Sequence, residues 1–311
     1  MKLATTTSDF SGAYKFSTVE SMNYIHQAGF RYLDYGFSYG NPEAVFTDDW
    51  KNHIENVKNT AKELSMKFVQ AHAPMASTPS MPIDENNDQF IADNIRCIEC
   101  CAELGIKNIV VHSGYRLHIT KEEFFEQNKR FYQKLLPAAE KFGVNVLTEN
   151  FTQMHHEANT YWTDSAKDLK ELIDYVDHPM LHACWDIGHA NSTDVPQDES
   201  LRTLGEHVKA IHVQDNLGIT HPLYGNTDPH MAPFFGSVNF DSVMHGLLEI
   251  NYNGAFTLET GIFYSPVRYK KPYDKDDRLQ KPLPFDIKLD AEKLLYKLSK
   301  HILETYDCFE G

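Results

Sequence analysis

The sequence predicts an α/β protein with the (β/α)8 TIM barrel fold, as a single domain over residues 1–311. Short apolar runs and longer helical periods alternate eight times along the chain. Alternation of strand and helix implies a parallel sheet, and eight repeats favour a closed barrel. The chain of 311 residues suits a barrel of about 250 residues with insertions. No Gly-x-Gly-x-x-Gly follows the first strand, which disfavours a dinucleotide-binding sheet.

The elements follow in chain order from the same patterns. Strands are predicted at 2–7, 32–37, 68–72, 108–112, 145–150, 182–186, 210–213 and 255–259. Helices are predicted at 18–28, 48–64, 87–104, 121–142, 165–176, 198–206, 240–249 and 290–304. Gly29, Gly105 and Gly143 lie near the ends of three helices, where glycine accepts a left-handed cap at low cost. The charged, proline-bearing stretch at about 262–285 is expected to be a C-terminal loop before the closing helix.

Composition and charge exclude several classes of protein. Apolar residues make up 41% of the chain, with 19 Phe, 16 Tyr and 3 Trp, which excludes a disordered chain. The formal net charge is −15, and non-specific affinity for nucleic acid comes mainly from Lys and Arg. A nucleic-acid partner is therefore disfavoured.

The chain is expected to be cytoplasmic and to have no membrane partner. Its first residues carry no apolar stretch of signal-peptide length, and no segment reaches the ~20 apolar residues of a membrane span. Five cysteines, an odd number, are typical of reduced thiols. Cys97, Cys100 and Cys101 lie within one predicted helix, where they are expected to be core residues rather than metal ligands.

Histidines and acids end six consecutive predicted strands, the third to the eighth. Barrel strands end at one face, so these groups are expected to meet in one cleft. Two carboxylates 4 Å apart repel by about 4 kcal/mol at an effective dielectric constant of 20, which protons or a divalent cation must relieve. Neighbouring imidazoles favour Mn²⁺, Zn²⁺, Co²⁺ or Fe²⁺ over Ca²⁺, and no organic cofactor is predicted. The residues are His72, His112, Glu149, Asp186, His189, His212 and Glu259 at the strand ends, with Asp228 and His230 from a loop that follows the seventh strand.

Seven short motifs in this order resemble the xylose isomerase-like TIM-barrel superfamily over roughly residues 30–259. That superfamily contains sugar and sugar-phosphate isomerases and epimerases, and also endonuclease IV. The motifs are Ala71-His72-Ala73-Pro74, Val111-His112-Ser113-Gly114, Thr148-Glu149-Asn150, Asp186-Ile187-Gly188-His189, His212-Val213-Gln214-Asp215, Asp228-Pro229-His230 and Leu258-Glu259.

The resemblance implies two different metal contents. In the epimerase branch, one metal ion is held by Glu149, Asp186, His212 and Glu259. In the endonuclease branch, three zinc ions are held. The first is bound by His72, His112 and Glu149, the second by the four residues of the epimerase site, and the third by His189, Asp228 and His230. All nine residue types are present, so the number of ions stays open.

The favoured function is a divalent-metal-dependent isomerase or epimerase acting on a sugar or sugar phosphate. Glu149 and Glu259 are predicted to move a proton at a carbon next to a carbonyl, by way of an enediolate. His189 is predicted to hydrogen-bond a substrate oxygen or to hold a second ion. Phe151 is a candidate apolar wall. The candidate substrate contacts are Trp185, Asn150, His72, Arg116 and Arg268.

Three other functions stay open. One is a zinc phosphodiesterase resembling endonuclease IV. Another is a lyase or dehydratase acting on a polyol or glycoside with the same site, and the third is a metal-bearing sugar-binding protein. The exact substrate, the native metal and the oligomeric state, a homo-oligomer included, stay open as well.

Overall fold

The fold is given by a computed structural model, which describes residues 1–11, 14–39, 44–151, 162–193, 195–218, 220–221, 225–226, 228–260 and 283–311. Eight parallel strands follow one another around a closed barrel, and β1 pairs with both β2 and β8. The predicted (β/α)8 barrel is therefore confirmed. The strands are β1 (Lys2–Thr6), β2 (Tyr32–Gly36), β3 (Lys67–His72), β4 (Asn108–Val110), β5 (Asn145–Glu149), β6 (Leu181–Asp186), β7 (Val208–Val213) and β8 (Ala255–Leu258).

The helices surround the barrel in the described part of the chain. They are α1 (Thr18–Ala28), α2 (Trp50–Glu63), α3 (Asp88–Leu104), α4 (Lys121–Phe142), α5 (Ala166–Val176), α6 (Ile187–Asn191), α7 (Gln197–Leu204), α8 (Phe240–Glu249) and α9 (Phe285–Thr305). Single 3-10 turns cover Thr7–Phe10, Ala44–Phe46, Met81–Ile83 and Gly205–His207, and Thr220–His221 pairs with Gly225–Asn226.

Two helices differ from the sequence prediction. The short helix α6 was not predicted, because its five residues are too few to show helical periodicity. Helix α9 begins at Phe285 rather than at 290, five residues earlier than predicted and where the predicted C-terminal loop ends. Residues 262–282 of that loop lie outside the described residues.

Local sequence signals explain where the helices begin and end. The hydroxyl of Ser17 accepts the backbone N–H of Glu20, whose carboxylate accepts the N–H of Ser17 in return, and this capping box starts α1. Helices α3 and α4 end at Gly105 and Gly143, with φ of 74° and 64°. Only glycine takes such a left-handed cap without a steric cost, as the sequence predicted.

The barrel interior explains why the site lies where it does. A small buried cluster, separate from the main core, contains Val110, Leu147, Cys184 and Ala210 from four successive strands. Side chains alternate along a strand, so the residue two positions later points to the same side. Those later residues are His112, Glu149, Asp186 and His212, which therefore stand on this apolar layer at the C-terminal ends of the strands.

Two further expectations concern helices. Cys97, Cys100 and Cys101 are fully buried in α3, and none of them belongs to a group of described residues that could hold a metal ion. Across the described ranges, no helix combines the length and apolar character that crossing a membrane requires.

A buried Lys–Glu pair on α9 predicts an unusual dependence of stability on pH. Lys288 donates to Glu292 over 2.9 Å, and both side chains are fully buried. Burial, with the nearby Asp9, raises the pKa of Glu292 to about 8. The folded state therefore holds a proton that the unfolded chain has already released above its ordinary pKa near 4.5. The contribution of Glu292 to the free energy of unfolding should therefore fall between about pH 4.5 and 8, by at most ~1.4 kcal/mol per pH unit.

Urea unfolding at several pH values tests this expectation. In Glu292→Gln, the slope of the unfolding free energy against pH should flatten over this interval. Glu304→Gln is the matched control, because Glu304 is exposed on the same helix and pairs with Lys300. Equal slopes in the wild type and in Glu292→Gln would contradict the raised pKa of Glu292 in the folded protein.

Candidate metal centre

Nine side chains at the C-terminal face of the barrel form three groups of potential metal ligands. Within each group, the ligand atoms lie within 4.8 Å of one another. The four-ligand group contains Glu149, Asp186, His212 and Glu259. The first outer group contains His72, His112 and Glu149, and the second outer group contains His189, Asp228 and His230. The structure thus brings together every residue that the sequence proposed as a metal ligand.

Glu149 belongs to two of these groups, one through each carboxylate oxygen. Its Oε1 lies 3.0 Å from His212 Nδ1, and its Oε2 lies 3.0 Å from His112 Nε2. His212 Nδ1 is also 3.1 Å from Glu259 Oε2. The side chain of Glu149 is 1% exposed, whereas that of Glu259 is 34% exposed. Glu259 is therefore the most exposed member of the four-ligand group.

The hydrogen bonds of His72 leave a lone pair directed into the first outer group. His72 Nδ1 lies 2.7 Å from the carbonyl oxygen of Ala73, which can only accept, so this nitrogen carries the proton. The Nε2 atom of neutral His72 then offers a lone pair, and it lies 2.9 Å from His112 Nε2. Two imidazole nitrogens this close require a shared proton or a cation. Metal-binding histidines are commonly oriented by such a bond from the other ring nitrogen.

The second outer group has the same arrangement twice. His189 Nδ1 lies 2.9 Å from the carbonyl oxygen of Asn150, and His230 Nδ1 lies 2.7 Å from that of Glu259. Both Nε2 atoms then point at the same oxygen, Asp228 Oδ2, over 2.8 and 2.9 Å. Neutral imidazoles in this tautomer would repel that oxygen. This group of ligands therefore needs a positive charge, which comes either from protons on the imidazole rings or from a metal ion.

Without a metal, protons on the imidazoles balance the buried carboxylates. Burial opposes the charge of Glu149, yet the surrounding imidazoles outweigh burial and hold the pKa of this carboxyl well below its usual range. Burial likewise disfavours charged His212 and His189, but neighbouring acids outweigh it and hold both pKa values well above the usual range. Burial raises the pKa of Asp186 to about 6. A metal ion would replace these protons as the source of positive charge.

Asn150, a predicted substrate contact, positions Asp186 in the structure. Its amide nitrogen donates to the carbonyl oxygen of Asp186 over 2.9 Å, and its amide oxygen accepts the Asp186 N–H over 2.7 Å. The side chain is fully buried. Asp186 in turn accepts the backbone N–H of His189 over 2.6 Å, which starts α6 and places His189 beside the site.

Trp185 and Arg116 are also not placed as predicted substrate contacts. Trp185 is fully buried, and its indole N–H donates to Gln197 at the start of α7 over 3.0 Å. Strand alternation turns it away from the barrel interior that Asp186 faces. Arg116 pairs with Asp84 over 2.6 Å. Arg268 lies outside the described residues.

Phe151 and His72 are the predicted contacts that the structure does bring to the site. The ring of Phe151 lies 4.6 Å from that of His112 and 4.9 Å from that of His189, measured between centroids. It therefore connects the two outer groups by an apolar surface. His72 stands in the first outer group, so it is adjacent to any molecule bound there.

Three residues beside the site received no role from the sequence. Asp215 accepts three backbone N–H groups over 2.8–3.0 Å, from Asn216, Gly236 and Val238, and so holds the backbone at these positions on either side of Asp228 in the sequence. Gln214 reaches the carboxylates of two ligand groups. Both residues stand in the motif that begins at His212. The third is Asp34, a buried acid in the apolar strand β2, and burial raises its pKa to about 6.

Comparison with known proteins identifies relatives of this arrangement. The family model described as "Xylose isomerase-like TIM barrel" matches residues 22–276. A probable endonuclease 4 of Mesoplasma florum is 25% identical over 230 residues, which cover 70% of this chain and 75% of that protein.

Two solved structures with the same fold are a D-psicose 3-epimerase with D-tagatose from Clostridium cellulolyticum H10 and an IOLI protein with a zinc atom. The epimerase has a TM-score of 0.74 at 15% identity, covering 97% of this chain and 99% of that one. The IOLI protein has a TM-score of 0.72 at 17% identity, covering 98% and 99%. At these identities, the likeness is one of fold.

Proposed function

We propose that this chain, which belongs to the xylose isomerase-like TIM-barrel family, is a divalent-metal-dependent isomerase or epimerase of sugars. The observation that carries the proposal is the four-ligand group. It combines three carboxylates and one imidazole around one point, and one of its carboxylates faces the cleft. Mn²⁺, Zn²⁺, Co²⁺ and Fe²⁺ suit this mixture of oxygen and nitrogen ligands.

The proposed chemistry is proton transfer at a carbon next to a carbonyl. A divalent cation in this group would polarise substrate oxygens and offset the negative charge that develops on them. Glu259, 34% exposed and 3.1 Å from His212, takes the proton, because it is the most exposed carboxylate of the group. Epimerisation needs a second group that enters the step protonated and donates to the opposite face of the carbon. Glu149, 3.0 Å from the same nitrogen, is proposed for that role, and the proton left on Glu259 is exchanged back to it between turnovers. Return of the proton by one glutamate to a neighbouring carbon gives isomerisation instead.

An uncharged sugar fits the charges better than a sugar phosphate. The chain has a net charge of −15, and Arg116, a candidate phosphate ligand, is paired with Asp84. Imidazoles and carboxylates of the outer groups offer donors and acceptors for hydroxyl groups. D-tagatose, a sugar, is named with the epimerase of similar fold.

Exchange of carbon-bound hydrogen with solvent tests the proposed function. The wild-type protein, loaded with Mn²⁺, Co²⁺ or Zn²⁺ in turn, is incubated with a panel of ketoses and aldoses in D₂O. We expect deuterium at a carbon next to the carbonyl of at least one sugar, detected by NMR, and no exchange after removal of metal by a chelator. Absence of exchange across the panel with all three metals would contradict the proposal.

Hydrolysis of a phosphodiester is the second candidate, and the two outer groups favour it. An isomerase needs one group of ligands, whereas this cleft has three, with Glu149 shared between two of them. A closely spaced set of ions can stabilise both the attacking and the leaving oxygen of a phosphodiester. Cleavage of a duplex with one abasic site, abolished by a chelator, would support this candidate. The net charge of −15 disfavours it.

A further inference from the structure

Gln214 bridges the four-ligand group and the second outer group. Its side-chain nitrogen donates to Asp228 Oδ1 over 2.8 Å, and it lies 3.3 and 3.5 Å from the two oxygens of Asp186. The side chain is fully buried. The amide must present its NH₂ end to these carboxylates, because its oxygen would be repelled by both. One neutral side chain therefore orients a ligand in each of two groups.

The backbone around Gln214 is shaped to admit this side chain. A Cβ atom at Gly188 would lie 2.2 Å from Gln214 Cδ and 2.4 Å from its Oε1. Glycine at this position of α6 thus leaves the space in which the amide lies between Asp186 and Asp228. The amide oxygen has no hydrogen-bond partner among the described residues. The contribution of Gln214 to the site is therefore its two N–H donors.

The absence of charge on Gln214 matters as much as its hydrogen bonds. Asp228 is the sole carboxylate of the second outer group, and it supplies the negative charge that would attract a cation to His189 and His230. A cationic side chain at 214 would neutralise Asp228 and repel a metal ion, whereas a neutral amide orients the carboxylate without neutralising it.

We infer that Gln214 is a positioning residue that determines how many metal ions the cleft holds. It orients Asp186 and Asp228, and its neutrality keeps the second outer group able to bind a divalent cation beside the ion of the four-ligand group. The inference rests on the proposed function in one respect, namely that the cleft binds divalent metal.

Cobalt titration of the metal-free protein at fixed pH tests the inference. Visible absorption of bound Co²⁺ and elemental analysis give the number of ions per chain. In Gln214→Lys, we expect one ion fewer than in the wild type, with the ion of the four-ligand group retained. In Gln214→Met, which removes the hydrogen bonds without adding charge, the ion number should be kept while affinity at the second outer group falls about 10–100-fold.

A matched control and a second variant separate positioning from folding. Gln197 is also a buried glutamine, but its hydrogen bonds go to Trp185 and to the backbone of Ile187, and within the described residues none of them goes to a metal-ligand side chain. Gln197→Met should lower thermal stability and leave the ion number and affinities unchanged. Gly188→Ala, which displaces the Gln214 side chain, should weaken cobalt binding as Gln214→Met does.

The outcomes distinguish this inference from the function on which it rests. A wild-type protein that binds no cobalt would overturn both. A wild type that binds cobalt, together with a folded Gln214→Lys that shows the same ion number and affinities, would overturn the inference alone. Loss of every ion in a folded Gln214→Lys would also overturn it, since the effect would then not be confined to one group.

Discussion

In Glu259→Gln, we expect hydrogen exchange between a sugar carbon and solvent to slow by about 10²–10⁴-fold, while the metal ion of the four-ligand group stays bound. The range is what a positioned acid or base contributes to proton transfer. Glutamine has a side chain of the same length, and its amide oxygen can still bind the metal ion, but it cannot take up a proton. Glu259 is the substituted residue because it is the half-exposed carboxylate of the four-ligand group, 3.1 Å from His212. Exchange rates by NMR and metal content by elemental analysis give the two readouts.

Glu149→Gln should lose metal binding as well as exchange, unlike Glu259→Gln, because Glu149 is 1% exposed and shared between two groups. A glutamine there turns its NH₂ group toward either His112 or His212, which both lie 3.0 Å from the native oxygens. We expect metal binding to fall together with exchange. Comparison of the two variants thus separates a residue that mainly moves a proton from one that mainly holds ions.

Glu249→Gln is the control for both variants. Glu249 lies at the exposed end of α8, where it pairs with Arg202. Exchange and metal content should equal those of the wild type. Wild-type exchange in Glu259→Gln would show that this carboxylate is not the base, and the proposed mechanism would then be wrong.

Much of this site could be predicted because barrel topology converts chain order into proximity. His72 and Glu259 are 187 positions apart, yet both follow parallel strands whose ends meet at one face. The polar residue types at strand ends were therefore enough to place the ligands in one cleft. The family resemblance already implied that Glu149 is shared between two sites, but the carboxylate oxygen that faces each imidazole could not be predicted, since it depends on the side-chain conformation.

Three predicted substrate contacts have other partners in the structure, for physical reasons that differ from one residue to the next. Trp185 precedes an inward-facing Asp186, so strand alternation alone could have excluded it from the cleft. Asn150 looked like a polar residue free to meet substrate, but its amide matches the backbone of Asp186 on the neighbouring strand. The pairing of Arg116 with Asp84 joins two loops, and no periodic pattern reports such a contact.

The second large effect concerns the number of metal ions, where we expect one tightly bound ion and two weaker ones. The four-ligand group is the most buried and has three carboxylates, so it should bind first. Each outer group has three ligands and lies nearer the solvent. His72→Ala and Asp228→Ala should therefore each lose one weak ion and keep the tight one. Elemental analysis after dialysis against graded metal concentrations measures this, and unchanged metal content in both variants would leave only a single-ion site.

Protons provide an independent measure of the same binding. In the metal-free protein, neighbouring acids outweigh burial and hold the pKa of His212 and His189 well above the usual range, and that of His230 at about 10. Each imidazole must lose its proton to bind a metal, so binding should release protons into a weak buffer. Affinity should then rise with pH, by about tenfold per unit for each proton released. Asp228→Ala should release fewer protons than the wild type, because the group that holds His189 and His230 no longer binds its ion, and equal release would contradict binding there.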